Sequence, residues 1–386
     1  MFKYVWLDLE MTLAYNTKMV VTERAPAISR PPVFSLPALY IAKDFAKEFT
    51  SAHFKEAEYE NFDALKLAVA LSWYNYVLSE DGLQSARQTQ IKLSNLITEE
   101  REASSPFNPL PTIGIEIESP NKPLRMKPVL FDEYARFFDK IGMPRNKINK
   151  SFVEFFDGDP SYWEFSPPPS FSARVQSTII SQLIRGNFVP HLQDSQDPDD
   201  IKKYLSNKLV SLHINLGIPP KVGLKYGYQL YSNRDLNIFV SSFAVGFTSP
   251  KRLECRQNKK SFFKIRVGTQ TPKSLWSPGR IEVVSMEMRD QSAYRALRQI
   301  QLVAVALFAH LENPNSAFGR IWQEAELELF YLYTGTGYIS ETDELKDNNT
   351  VKQMARDKKV VDATRAILNR QALKVSAFIA KQKTAA

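Results

Sequence analysis

The segment Thr112-Ile-Gly-Ile-Glu-Ile-Glu-Ser119 alternates strictly, with Ile113, Ile115 and Ile117 at one parity and Gly114, Glu116 and Glu118 at the other. Side chains alternate across a β-strand, so this period of two sets an apolar face against an acidic one. Neighbouring carboxylates on one face repel each other unless they are solvated or bridged by cations. The exposed polar face of an edge strand satisfies the first condition and a metal site the second.

Three further segments repeat the pattern. Ser151-Phe-Val-Glu-Phe-Phe-Asp-Gly-Asp-Pro-Ser-Tyr-Trp-Glu-Phe-Ser166 reads as two strands around an Asp157-Gly-Asp-Pro160 turn. Trp163 and Phe165 face one way and Glu164 the other; Asp157 is either a turn residue satisfying its own backbone or a site residue. In Leu209-Val-Ser-Leu-His-Ile-Asn-Leu-Gly217 the apolar face is Val210, Leu212, Ile214 and Leu216, leaving Ser211, His213 and Asn215 opposite. In Arg280-Ile-Glu-Val-Val-Ser-Met-Glu-Met-Arg-Asp290, strict alternation puts Ser285, Glu287 and Arg289 together. Glu282 has the parity of the apolar set, so Glu287 is the stronger site candidate. If the four strands pave one sheet, their acids converge with His213, and divalent cations with a bridging polyphosphate stabilise such an array. Oxygen-rich sites select Mg²⁺ or Mn²⁺.

Composition bounds the alternatives. The 386-residue chain is 44% hydrophobic and 24% charged, an ordinary globular balance that excludes a disordered or fibrous protein. One cysteine, Cys255, excludes a disulfide framework and a cysteine-rich metal site. The first dozen residues carry Lys3, Asp8 and Glu10, unlike a signal peptide, and apolar runs such as Val303–Ala309 are too short to span a bilayer. A soluble, cytoplasmic protein without membrane partners is expected. The net charge is +8, and Lys251–Lys273 concentrates Lys251, Arg252, Arg256, Lys259, Lys260, Lys264, Arg266 and Lys273 against Glu254 alone. That stretch suits either a phosphate-bearing ligand or a solvated surface. The chain contains neither a Gly-x-x-x-x-Gly-Lys-Ser/Thr loop nor a Gly-x-Gly-x-x-Gly motif, which disfavours P-loop and Rossmann sites.

Pattern divides the chain into a mainly helical N-terminal region (1–105), a mixed core (106–335) and a C-terminal helix (336–386). The first region opens with a strand-like run, Tyr4–Leu7, and a proline-punctuated segment, Pro26 to Pro37. Periodicity predicts helices over Asp63–Leu78, Ser85–Glu102, Phe131–Ile141, Ser172–Arg185 and Gln291–Leu311, and a short one over 199–206 capped by Asp197. The prolines of Ser104–Pro111 mark a linker, and one helix from about 345 ends in a polar tail, Lys381–Ala386.

The order of motifs resembles the carboxylate–amine ligases (amidoligases) of the glutamine synthetase and glutamate–cysteine ligase superfamily. Gly114-Ile-Glu-Ile-Glu118 is similar to their opening metal-binding strand. Asp157 with Glu164-Phe-Ser-Pro167 is similar to their Asp…Leu-Glu-x-x-x-Pro element, with the proline one residue early. Ser211-Leu-His-Ile-Asn215 resembles their His-x-(Asn/His) strand, and Glu287-Met-Arg289 their late Glu-x-Arg strand. The match covers roughly residues 112–290.

The resemblance implies an α+β fold with a curved antiparallel sheet, and ATP with two or three Mg²⁺ or Mn²⁺ ions as cofactors. It implies Glu116, Glu118, Glu164, His213 and Glu287 as metal positions, Arg289 neutralising the transferring phosphoryl, and Asp157 orienting or deprotonating the amine. Arg252, Arg256 and Arg266 are candidates for the nucleotide or the substrate carboxylate. The substrates would be a small-molecule or peptide carboxylate and an amine, and relatives often assemble as homo-oligomers. The N-terminal region has no counterpart in the family. Two alternatives stand beside this reading: a catalytically degenerate binding or assembly protein, with nucleic acid as a possible partner of the basic patch, and a metal-dependent phosphohydrolase. Tyr4-Val-Trp-Leu-Asp-Leu-Glu-Met-Thr12 also echoes oligoribonuclease-type exonucleases, but the partner motifs those enzymes need are missing.

Overall fold

A computed structural model describes residues 64–72 in part, 83–105, 108–120, 162–165, 167–185, 211–247, 263–267, 279–287, 290–340 and 348–385. Tyr4–Leu7, Pro26 to Pro37, Phe131–Ile141 and 199–206 lie outside the described residues, as do Cys255 and most of Lys251–Lys273. The chain is an α+β protein. In order, the described elements are α1 (Leu83–Ala103), β1 (Ile113–Pro120), β2 (Tyr162–Phe165), α2 (Ala173–Arg185), β3 (Ser211–Gly217) and α3 (Pro220–Tyr226). A 3₁₀ turn over Gly227–Ser232 leads to α4 (Arg234–Phe247), β4 (Phe263–Val267) and β5 (Gly279–Glu287). Then follow α5 (Asp290–Glu312), α6 (Ala317–Gly335), α7 (Asn348–Arg356) and α8 (Lys358–Ala385).

The strands form one five-stranded sheet in the order β2-β1-β3-β5-β4, antiparallel throughout. On β1 and β3 its apolar face is the one the alternation predicts, whereas on β5 Ile281, of the parity that alternation groups with Glu287, turns into the core. Ile113, Ile115, Leu212, Ile214, Leu216 and Ile281 are all buried in the main hydrophobic cluster, each contributing about 1.5–3 kcal/mol by leaving water. Helix α2 packs on β1 and α4 on β5, while α5 contacts α2, α4, α6 and α8. Buried residues at Ala64–Leu71 and Leu93–Ala103 belong to the same cluster.

One helix lacks a readable period for a physical reason. Residues Leu236–Gly246 of α4 are buried on every side, so no polar stripe marks the helix. In α6, Ser316 caps the first turn by accepting from the Gly319 amide at 2.9 Å. A Cβ at Gly319 would lie 2.7 Å from the Asn313 carbonyl oxygen and 2.8 Å from that of Pro314. Backbone cannot give way as a side chain can. Gly319→Ala is therefore expected to cost about 1–3 kcal/mol, read as a lower urea midpoint with an unchanged slope.

The C-terminal region is two helices rather than one. Asp357 breaks the run: its Oδ1 accepts from the amides of Lys359 at 2.9 Å and Val360 at 3.4 Å, capping α8. Its Oδ2 accepts from the Tyr338 hydroxyl at 3.2 Å. The polar residues from Lys381 to Ala385 continue α8 instead of forming a tail. The proline-rich segment before β1 is docked, since Gln301 donates to the Pro111 carbonyl at 2.8 Å and Leu110 is buried.

Candidate metal centre

The sheet register aligns the polar positions in ranks. Glu164, Glu118, Ser211 and Glu287 are successive cross-strand partners from β2 through β1 and β3 to β5. The next rank pairs Glu116 with His213. A third runs through Gly114, Asn215, Glu282 and Lys264. All five sequence-predicted metal positions thus fall on two adjacent ranks of one sheet.

Glu282 joins this face against its parity. Between Leu212 and Ile214 of β3 the partners on β5 are Met286 and Val283, so β5 holds one residue more than β3. Such a bulge inverts the alternation beyond it. It brings Glu282 into line with Asn215 while Glu287 stays in line with Ser211.

The described side chains form a compact buried group. Glu116 is 6%, His213 3% and Glu282 1% exposed. The His213 Nδ1 lies 3.7 Å from Glu116 Oε2 and 3.4 Å from Glu282 Oε1. Arg280, on β5, places Nη1 3.0 Å from Glu116 Oε1. Burial pushes the Glu116 carboxyl up, but the His213 hydrogen bond and the Arg280 charge outweigh it and hold the group below the ordinary carboxylate value. The carboxylate is therefore ionised at neutral pH.

One donor atom from each of Glu116, His213 and Glu282 lies within 4.8 Å of the other two. A six-coordinate divalent ion at about 2.1 Å needs donors roughly 3–4 Å apart, so a small contraction would close the three around it. Asn215 Oδ1, buried and without a hydrogen-bond partner, stands in the rank of Glu282 and offers another oxygen. A donor set of carboxylates, an amide oxygen and one imidazole fits Mn²⁺ and, with less preference for the nitrogen, Mg²⁺.

Glu118, Glu164, Glu287 and Arg266 are placed by register alone, Arg266 across from Arg280 on the edge strand β4. Asp157, Arg252, Arg256 and Arg289 lie outside the described residues. Sequence reasoning missed Arg280 and set Glu282 aside. The apolar-parity glutamate was the available signal for Glu282, because an acid in a core register is costly without a partner. Pro169 lies over this face at its far end: a Cβ on Gly114 would sit 3.6 Å from Pro169 Cβ and 3.7 Å from Asn215 Cβ. Those are ordinary contacts, so nothing at Gly114 demands glycine.

Comparison of the chain with protein-family models, curated proteins and solved structures gives no match. Among the described residues no helix is long and apolar enough to cross a membrane.

Proposed function

We propose that this protein is an ATP-dependent carboxylate–amine ligase of the glutamine synthetase and glutamate–cysteine ligase kind, working with Mg²⁺ or Mn²⁺ on its acidic sheet face. The register carries the reading. Glu118 stands directly across from Glu164, and Glu116 and Glu282 flank His213. Like charges at opposed positions destabilise a sheet, and cations bridged by a polyphosphate relieve that cost.

In the proposed reaction a substrate carboxylate oxygen takes the γ-phosphoryl of ATP, releasing ADP. The amine nitrogen then attacks the acyl carbon, the C–O bond to phosphate breaks, and the amine loses a proton as the amide forms. The cations supply charge neutralisation for the polyphosphate and the phosphoryl in flight. Glu116, His213 and Glu282 would hold one of them, and Glu118, Glu164 and Glu287 would serve further ones. Arg289 would steady the phosphoryl, Asp157 the amine, and Arg252, Arg256 and Arg266 the nucleotide or acid.

A second reading has its own observation. Arg280 gives the buried Glu116 carboxylate an internal counter-cation, as a catalytically degenerate binding or assembly protein on this fold would need. Calorimetry of ATP with and without Mg²⁺, on the wild type and Glu287→Ala, decides between them. Cation-dependent ATP binding that is lost in the variant is the expected result. No ATP binding under either Mg²⁺ or Mn²⁺ would overturn the ligase and leave the degenerate form. Phosphate release that continues without any amine would point to a phosphohydrolase.

A further inference from the structure

The sequence treats α1 as part of a separate N-terminal region, yet one carboxylate ties it to the sheet. Glu100, 2% exposed, accepts from the Phe171 amide at 2.9 Å through Oε1 and from the Ser172 amide at 2.8 Å through Oε2. Both amides belong to the strap, residues 167–172, that runs from β2 to α2. Beside it, Glu99 accepts from the Ser172 hydroxyl at 3.1 Å and from Arg174, whose guanidinium stacks 4.6 Å from the Tyr294 ring of α5.

The strap in turn touches the acidic sheet. Ser170 exchanges two backbone hydrogen bonds with Ile113 of β1, at 2.7 and 2.9 Å. Pro169 lies against Gly114. Gln176 of α2 donates to the Pro168 carbonyl at 2.7 Å, and Gln301 of α5 donates to that of Phe171 at 2.7 Å. Among the described residues, the strap is thus held by α1, β1, α2 and α5 together.

We propose that Glu100 is a positioning residue through which docking of α1 sets where the strap lies against the acidic face, and that this docking responds to pH. Burial pushes the Glu100 carboxyl up to about 7, against the two amides that favour its ionised form. Among the described residues, the charged group that acts on it is Glu99 of its own helix, which is linked in turn to Arg174 of α2 and Arg298 and Tyr294 of α5. The strap and the start of β1 bring none.

The sign follows from the raised value. Between the ordinary 4.5 and about 7 the docked carboxyl keeps a proton that the undocked one has lost. Docking therefore takes up a proton and tightens as pH falls, by up to about tenfold per pH unit across that window. Above about 7 both forms are ionised, and docking is weakest and independent of pH.

Hydrogen exchange of the full chain from pH 5.5 to 8, corrected for intrinsic exchange rates, tests this on peptides spanning 83–103 and 167–176. The wild type is expected to open more as pH rises to about 7, approaching tenfold per unit, with both peptides moving together. Glu100→Gln, which has no charge to lose and offers one acceptor in place of two, is expected to open more than the wild type at pH 5.5 and to show no slope. A flat wild-type profile, an unchanged slope in Glu100→Gln, or opening of 83–103 that leaves 167–176 protected would each overturn the proposal. The wild-type profile decides by itself if the variant does not fold.

Discussion

Glu116→Ala is expected to abolish cation-dependent nucleotide binding and to weaken the fold at the same time. The first effect follows from its place between His213 and Arg280, where it supplies one of three donors that converge within 4.8 Å. The second follows from what is left behind. Removing one partner of a buried ion pair costs about 3–5 kcal/mol. Arg280 is 35% exposed on its side chain and can rehydrate, so the expected loss is nearer about 1–3 kcal/mol. Because Glu116 titrates below its ordinary value in the folded protein, its contribution is full above pH 4.5. It is lost as pH falls through the folded value. Urea midpoints of wild type and variant should therefore differ at neutral pH and converge in acid. A variant as stable as the wild type at pH 7, with nucleotide binding intact, would mean that neither the ion pair nor the metal role is real.

The second large effect is expected at Glu282. Glu282→Gln keeps the size of the side chain and removes the charge that stands 3.4 Å from His213. Loss of an outer partner of a metal ligand costs roughly 10–100-fold in affinity, so loss of a ligand should exceed that. Mn²⁺ titrations followed by electron paramagnetic resonance should show the tightest Mn²⁺ weakened by more than about 100-fold. Glu287→Gln is expected to spare that ion and weaken those held by the outer rank. If Glu282→Gln leaves the tightest Mn²⁺ in place, the buried group is an ion-pair cluster and the cations bind elsewhere.

The contrast between Glu282 and Glu287 shows what the sequence conveys. Alternation in 113–117 and 210–216 was legible because both faces of those strands are uniform, and the core isoleucines and leucines sit where it puts them. The five polar positions on two ranks followed from that alternation. The bulge in β5 did not. Its extra residue falls within Val283-Val284-Ser285-Met286, where nothing in residue type distinguishes a regular strand from a bulged one. Parity then gave the wrong face for Glu282, which stands in line with Asn215, while Glu287 stands in line with Ser211.

The helices divide similarly. Amphipathic α2 and α5 could be read to within a residue or two, whereas α4, buried all round, offered no stripe, and α6 was not anticipated either. The break at Asp357 was hidden in the charged run Arg356-Asp-Lys-Lys359, in which only its hydrogen bonds to the start of α8 reveal a cap. Long-range partners such as Glu100 with Phe171 and Ser172 leave no local trace at all.

The strand order has a kinetic consequence. The ladders that assemble the polar face join β1 to β3 and β3 to β5, elements separated in the chain by whole helices. The α5–α6 and α7–α8 pairs are instead neighbours in sequence. Loop closure must be met before distant strands reward it, so local helical pairs form quickly and such ladders slowly. The acidic residues are thus expected to meet late in folding, after the local helical pairs have formed. Their mutual repulsion falls on the last steps of assembly, where a divalent cation in the refolding buffer should speed the approach to the native state.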